Sequence, residues 1–193
     1  TPNPIMSIQD GDGRTIKDFT PYSREVADEK EIFILRDMMK SVIDNGTGRS
    51  LRWKYKFYSP VAGKTGTTNS KTDAWFIGFT PQIAIGVWVG LDDPSISLGK
   101  NQYGSKAALP IFVDTIKEIY DLDSFHSGSD IVYINSKANW GKPDNIVTEK
   151  VCTESYDKAT RWCKSKNEIY IKNTQPTEDC SEHTGALKKK IRK

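Results

Sequence analysis

The chain has 193 residues, 36% of them hydrophobic and 27% charged, and its 28 basic and 25 acidic side chains leave a net charge of only +3. The length suits one domain of ordinary size or one and a half smaller units, and the apolar share supports a core but leaves some of the chain poorly packed or stabilised by other means. So small an excess argues against nucleic-acid binding, which needs a clustered basic face, and no run of 18 apolar residues is present to cross a bilayer.

The sequence opens Thr1-Pro2-Asn3-Pro4, with no initiator Met, basic n-region or apolar h-region. It does not read as a signal peptide, and any anchor or export signal is expected upstream of it. Residues 4–19 read as a β-hairpin, Ile5–Ile8 and Thr15–Lys17 flanking Asp10-Gly11-Asp12-Gly13. The later acidic ligands of a calcium loop do not follow. Over residues 29–45, Ile32, Leu35, Met39 and Val42 recur at helical spacing, widened by Met38 and Ile43. Asp28 is the expected N-cap, Glu29 and Glu31 suit the positive helix end, and Asn45-Gly46 is expected to stop the helix in a left-handed turn.

Three strands are expected next, over 57–67, 74–79 and 83–90. The last, Ile83 to Gly90, is apolar at both parities and predicts a strand covered on both faces. Thr80-Pro81-Gln82 is short enough to make the second and third strands an antiparallel hairpin. A second helix is expected over 106–120 with Leu109, Phe112, Val113, Ile116 and Ile119 inward, Pro110 lying in its first turn or kinking it. Composition turns polar after Leu122, so a boundary is placed near residue 123, with 131–134 and 169–171 as strand candidates beyond it. The basic run Lys188, Lys189, Lys190, Arg192 and Lys193 reads as a solvated tail, with contact to anionic lipid or polymer as the alternative. No internal repeat is found.

Cys152, Cys163 and Cys180 all fall in the last quarter of the chain. An odd count there predicts one disulfide, Cys163 with Cys180, and one free thiol, if the compartment is oxidising. A Cys₃His zinc set with His183 is the alternative, since Cys180-x-x-His183 has usable spacing although the paired short pattern of zinc ribbons is missing. Neither His126 nor His183 lies in a recognisable Ser-His-Asp setting.

Chemistry concentrates in Gly63-Lys64-Thr65-Gly66-Thr67-Thr68-Asn69. A lone Lys-Thr-Gly is weak. Here it is preceded by Asn45-Gly46-Thr47-Gly48 and followed by Asp73-Ala74-Trp75-Phe76-Ile77-Gly78-Phe79-Thr80-Pro81 and Val87-Trp88-Val89-Gly90, then Ala107–Phe112 and a late Pro176, Cys180 and His183. The combination closely resembles class A penicillin-binding proteins, the bifunctional peptidoglycan synthases, from end to end of the chain.

The resemblance implies an α/β (α+β) fold, the C-terminal half of the penicillin-binding transpeptidase and β-lactamase type: a partial antiparallel sheet with helices packed on it over 1–123, and an appendage over 124–193. It implies D,D-transpeptidation of peptidoglycan stem peptides ending in D-Ala-D-Ala, acylation by β-lactams, an extracytoplasmic location, and no cofactor. An extended peptide would add to the edge of the strand at Lys64–Thr67. Lys64 would supply a compact charge, Thr65 and Thr67 hydroxyls would bind the terminal carboxylate, Gly66 would let backbones approach, and the Thr67 N–H would be half of an oxyanion hole. Asp73, Trp75 and Phe76 read as structural, Trp75 packing under the hairpin. The family's Ser-x-x-Lys nucleophile and Ser-x-Asn motif are absent from residues 1–63; Ser97–Lys100, Ser155–Lys158 and Ser165–Asn167 match formally but lie downstream of Lys64. The nucleophile, the glycosyltransferase domain and the anchor are therefore expected outside this sequence. A non-catalytic cell-wall or partner binding module is the second reading, and a β-lactamase relative the third.

Overall fold

A computed structural model describes residues 5–19, 24–122, 124–127 and 130–183. The basic tail, and the side chain of His126, lie outside the described part.

The opening hairpin forms as the turn chemistry predicts. Strands β1 (Ser7–Gln9) and β2 (Thr15–Asp18) pair antiparallel. Asp10 Oδ1 accepts from the backbone N–H groups of Asp12 and Arg14, at 3.0 and 2.8 Å, and Gly13 takes φ +81.

Helix α1 (Glu29–Asp44) is capped by Asp28, whose carboxylate accepts the Lys30 N–H at 2.8 Å. Two details differ from the pattern-based expectation. Ile32, Leu35 and Met38 stand exposed, and Ile43 is the residue of α1 that enters the core. Gly46 is not left-handed. It is needed for close approach, because a Cβ there would lie 2.8 Å from Val42 Cα and O. A short helix α2 (Ser50–Trp53), unforeseen in the sequence, follows. Arg52 on it holds the next loop, donating to Asp44 Oδ1 and to the carbonyls of Phe57 and Ser59 at 2.8, 2.8 and 3.0 Å.

The central sheet is antiparallel in the order β3 (Ala62–Thr67), β4 (Asp73–Phe79), β5 (Ala84–Gly90). Strand β3 begins five residues later than expected; Pro60 has no N–H for a ladder, and Arg52 takes the carbonyls of the preceding loop. One face of the sheet is sealed by α3 (Gly104–Tyr120), whose Leu109, Phe112, Val113 and Ile116 are fully buried against Phe76, Val87, Leu51, Phe57 and Val61. Pro110 sits in the interior of this helix because α3 starts at Gly104, two residues before the expected position.

The other face is open, which corrects the expectation of a strand covered on both sides. Trp75, Ile77 and Trp88 are each close to half exposed there. Trp75 does not pack beneath the hairpin but stands beside Trp88, ring centroids 6.3 Å apart. The Trp88 indole N–H donates to Asp73 Oδ1 and the Thr72 hydroxyl to Oδ2, both at 2.9 Å. These bonds, that of Trp88 foremost, hold the Asp73 carboxyl below its ordinary value. Their stabilisation is therefore fully present above the unfolded pKa of about 4 and fades as pH falls through the lower folded value. The urea midpoint of Asp73→Asn is expected to lie below that of the unaltered chain at pH 7, with the gap closing toward pH 2; a gap independent of pH would contradict this.

Beyond α3, β6 (Ser124–Ser127) pairs with β7 (Asp130–Tyr133), and β8 (Ile146–Cys152) with β9 (Ser165–Ile171). Strand β8 was not foreseen, since Glu149-Lys150 interrupts its apolar residues. This region leans on the sheet and α1 through several contacts. Trp140 packs edge-on to Phe79 at 5.9 Å, Arg36 lies over Trp140 and donates to the Gly141 carbonyl at 3.1 Å, and the Gln82 amide donates to the Tyr133 carbonyl at 2.7 Å. No described helix is long and apolar enough to cross a membrane.

Candidate substrate-binding site

Among the described residues, strand β3 is an edge of the sheet, paired with β4 alone. Cross-strand partners share a face. Lys64 and Gly66, opposite Ile77 and Trp75, therefore emerge on the open face, while Thr65 and Thr67, opposite Phe76 and Ala74, turn toward the side occupied by α3. The sequence placed the cation and both hydroxyls on one groove; the alternation of the strand divides them.

The two threonines line a cavity of about 780 Å³ bounded by Gly46, Thr47 and Arg49 before α2, Trp53 and Lys54 at its end, and Tyr103–Lys106 at the start of α3. Thr65 Oγ1 shares a 2.8 Å hydrogen bond with Thr47 Oγ1, and Thr67 Oγ1 accepts the Gly104 N–H at 3.1 Å. Gly104 closes the contact between α3 and the sheet. A Cβ there would fall 2.3 Å from Trp75 O and 2.7 Å from Gly66 O, so only glycine lets the helix start against β3 and β4. The charged side chains lining the cavity, Arg49, Lys54 and Lys106, are all cations, and the first turn of α3 carries no acid. A helix N-terminus adds its own partial positive charge. The whole wall is suited to an anionic group.

Lys64 is exposed and does not line the cavity; its ammonium donates to the Thr65 carbonyl at 2.6 Å. Arg49, Lys54, Tyr103 and Lys106 were not singled out from the sequence. They converge only through the fold, whereas Thr47 belongs to the Asn45-Gly46-Thr47-Gly48 motif.

A second cluster of reactive groups lies away from this cavity. Cys152, Cys163, Cys180 and His183 gather with their ligand atoms within 4.8 Å of one another. All three cysteines are free thiols, where the sequence led to the expectation of a Cys163–Cys180 bridge. Hydrogen bonds from the Ser155 hydroxyl and then from His183 and neighbouring backbone bring the Cys180 thiol down to about 6, against the opposing effect of burial. Backbone donation from Ser155 and Glu154 lowers Cys152, while burial raises Cys163.

The edge strand Gly-Lys-Thr-Gly-Thr leads into a β-hairpin and a covering helix, an arrangement with a counterpart in a known family. The match is direct: residues 1–117 fit the penicillin binding protein transpeptidase domain, and the chain belongs to that family. Residues 142–185 fit the C-terminal domain of penicillin-binding protein 1A, which places the chain among the class A members. It is 33% identical over 186 residues to penicillin-binding protein 1A of Aquifex aeolicus, covering 95% of this chain and 23% of that protein. It is 44% identical over 95 residues to penicillin-binding protein 1A of Rickettsia typhi, covering 49% of this chain and 12% of that one. The crystal structure of penicillin-binding protein 1A from Haemophilus influenzae shares the fold, with a TM-score of 0.68 at 22% identity over 91% of this chain and 30% of that structure. The chain thus spans about a quarter or less of the length of these curated relatives.

Proposed function

We propose that this chain supplies the substrate-gripping strand of a serine D,D-transpeptidase that cross-links peptidoglycan stem peptides outside the cytoplasm. Residues 1–123 contribute to the catalytic domain and 124–193 form its appendage. The carrying observation is an edge strand whose Thr65 and Thr67 face a cavity with only cations among its charged lining residues. A stem peptide ending in D-Ala-D-Ala lies along β3, and its terminal carboxylate reaches the Thr65 and Thr67 hydroxyls, with Arg49, Lys54 and Lys106 supplying the field. Lys64, on the outer face of the same strand, sits beside the nucleophile's proton network rather than beside the carboxylate. Gly66 keeps the strand unobstructed, and the Thr67 N–H stabilises the developing oxyanion.

The attacking serine is supplied from outside this sequence, since residues 1–63 hold no Ser-x-x-Lys. Its acyl-enzyme forms by attack on the penultimate D-Ala carbonyl with loss of the terminal D-Ala, and β-lactams acylate the same oxygen. On this reading the chain alone takes no label from a fluorescent penicillin, whereas the full-length enzyme does. Covalent label on the purified chain that survives denaturation would refute the assignment of the nucleophile.

A further inference from the structure

We propose that Cys152, Cys163, Cys180 and His183 form a structural zinc site that ties the appendage together. The four side chains come from three separate places: the end of β8, the turn before β9, and the segment after β9. A tetrahedral zinc ion with Zn–S of about 2.3 Å and Zn–N of about 2.0–2.1 Å needs S···N edges of about 3.5 Å and S···S edges of about 3.8 Å. His183 Nδ1 lies 3.5 Å from Cys152 Sγ and 3.3 Å from Cys180 Sγ. Every ligand atom is within 4.8 Å of every other. The two S···N edges are close to the tetrahedral value, and the remaining edges lie within 4.8 Å.

The surroundings fit the same ion. The outer imidazole nitrogen, Nε2, is 3.5 Å from Glu154 Oε2. A carboxylate on that side is placed as the outer partner that would favour the tautomer with Nδ1 free to bind. The Glu154 N–H points at Cys152 Sγ at 3.4 Å, and the Thr160 hydroxyl lies 3.4 Å from Cys163 Sγ. Thiolates gain from such donors. Cys152 and Cys180 are buried, so the site is closed, and four protein ligands leave no open position for catalysis. A single disulfide would use two of the sulfurs and leave the third as a thiol beside the histidine, whereas zinc takes all four groups.

The appendage has a physical need for such a tie. Among the described residues after 122, only Ile146, Val151, Cys152 and Cys180 are buried apolar groups. A unit with so small a core relies on cross-links or metal. The return segment is held by Cys180 N–H to the Lys158 carbonyl at 2.9 Å and a parallel bridge between Lys158 and Asp179. Zinc would join it to the end of β8 and to the turn that leads into β9.

The test uses the whole 193-residue chain, purified without a polyhistidine tag under reducing conditions and dialysed against Zn²⁺-free buffer. Elemental analysis is expected to find about one zinc per chain, and the three thiols to react with a thiol reagent only after chelation. Replacement by Co²⁺ is expected to give the intense ligand-field bands of a tetrahedral ion with thiolate-to-cobalt charge transfer. Cys180→Ser and His183→Ala should lose these signals. Glu154→Gln, which keeps all four ligands, should weaken Zn²⁺ binding about 10-fold, the low end for an outer partner. Neither the stoichiometry nor the cobalt spectrum needs a variant to fold. A metal-free chain after Zn²⁺ loading, a cobalt spectrum without thiolate charge transfer, or a Cys163–Cys180 disulfide persisting in chain exposed to Zn²⁺ under reducing conditions would overturn the proposal.

Discussion

Phe112→Ala is expected to lower the unfolding free energy by about 3–5 kcal/mol, the range for truncating a fully buried aromatic. The side chain has no exposed surface and meets Phe76 edge to face at 4.8 Å between centroids, an arrangement worth about 0.5–1.5 kcal/mol beyond area alone. Its ring also fills the space left by Gly78, where a Cβ would be 2.7 Å from two ring atoms. The hole left by alanine therefore cannot be closed by Gly78, which has no side chain to move, and collapse is limited to neighbours already packed. The adjacent Ile111 is about half exposed, so Ile111→Ala should stay near the 0.5 kcal/mol typical of surface positions. Urea unfolding of the two variants followed by tryptophan fluorescence gives the comparison. A Phe112→Ala loss below about 1 kcal/mol would mean that α3 and the sheet are not one core.

The elements that were legible are those whose local signal and tertiary role agree. Asp28, the Asp10–Gly13 turn and the inner face of α3 each satisfy a local rule and the fold at once. The misread elements are those whose partners are set elsewhere. Ile32, Leu35 and Met38 make a good helical stripe, and Ile83 to Gly90 a good buried strand, yet both present surface to solvent here. Apolar periodicity says which residues can be buried, not what arrives to bury them. Strand β8 escaped because its pairing with β9 does not depend on an apolar alternation.

The candidate sites divide in the same way. Lys64–Thr67 is contiguous, so it could be read directly, but period-two alternation sends its ammonium and hydroxyls to opposite faces. The cationic wall of Arg49, Lys54 and Lys106 comes from the two ends of α2 and the start of α3 and carries no spacing. For the thiol cluster, Cys180-x-x-His183 was visible, while Cys152 and Cys163 meet only because the hairpin register sets Cys152 opposite Ser165, two residues past Cys163.

In the full-length enzyme, Lys64→Ala is expected to slow penicillin acylation by about 10²-fold or more, comparable to removing one aimed donor from a preorganised site. The alternation in β3 makes the prediction sharper than a general loss. If the ammonium serves the proton network of the attacking serine, its removal lowers the acylation rate constant and leaves pre-acylation binding nearly unchanged. Thr65→Val, which removes a hydroxyl facing the cavity and the 2.8 Å bond to Thr47, should instead weaken binding with a smaller effect on the chemical step. Stopped-flow acylation over a range of penicillin concentrations separates the two constants. The lysine is exposed and pairs with a carbonyl of its own strand, so the variant should fold as the unaltered protein does. Were Lys64→Ala to weaken binding and spare the rate constant, the ammonium would belong with the carboxylate, and β3 would have to turn its other face to the substrate.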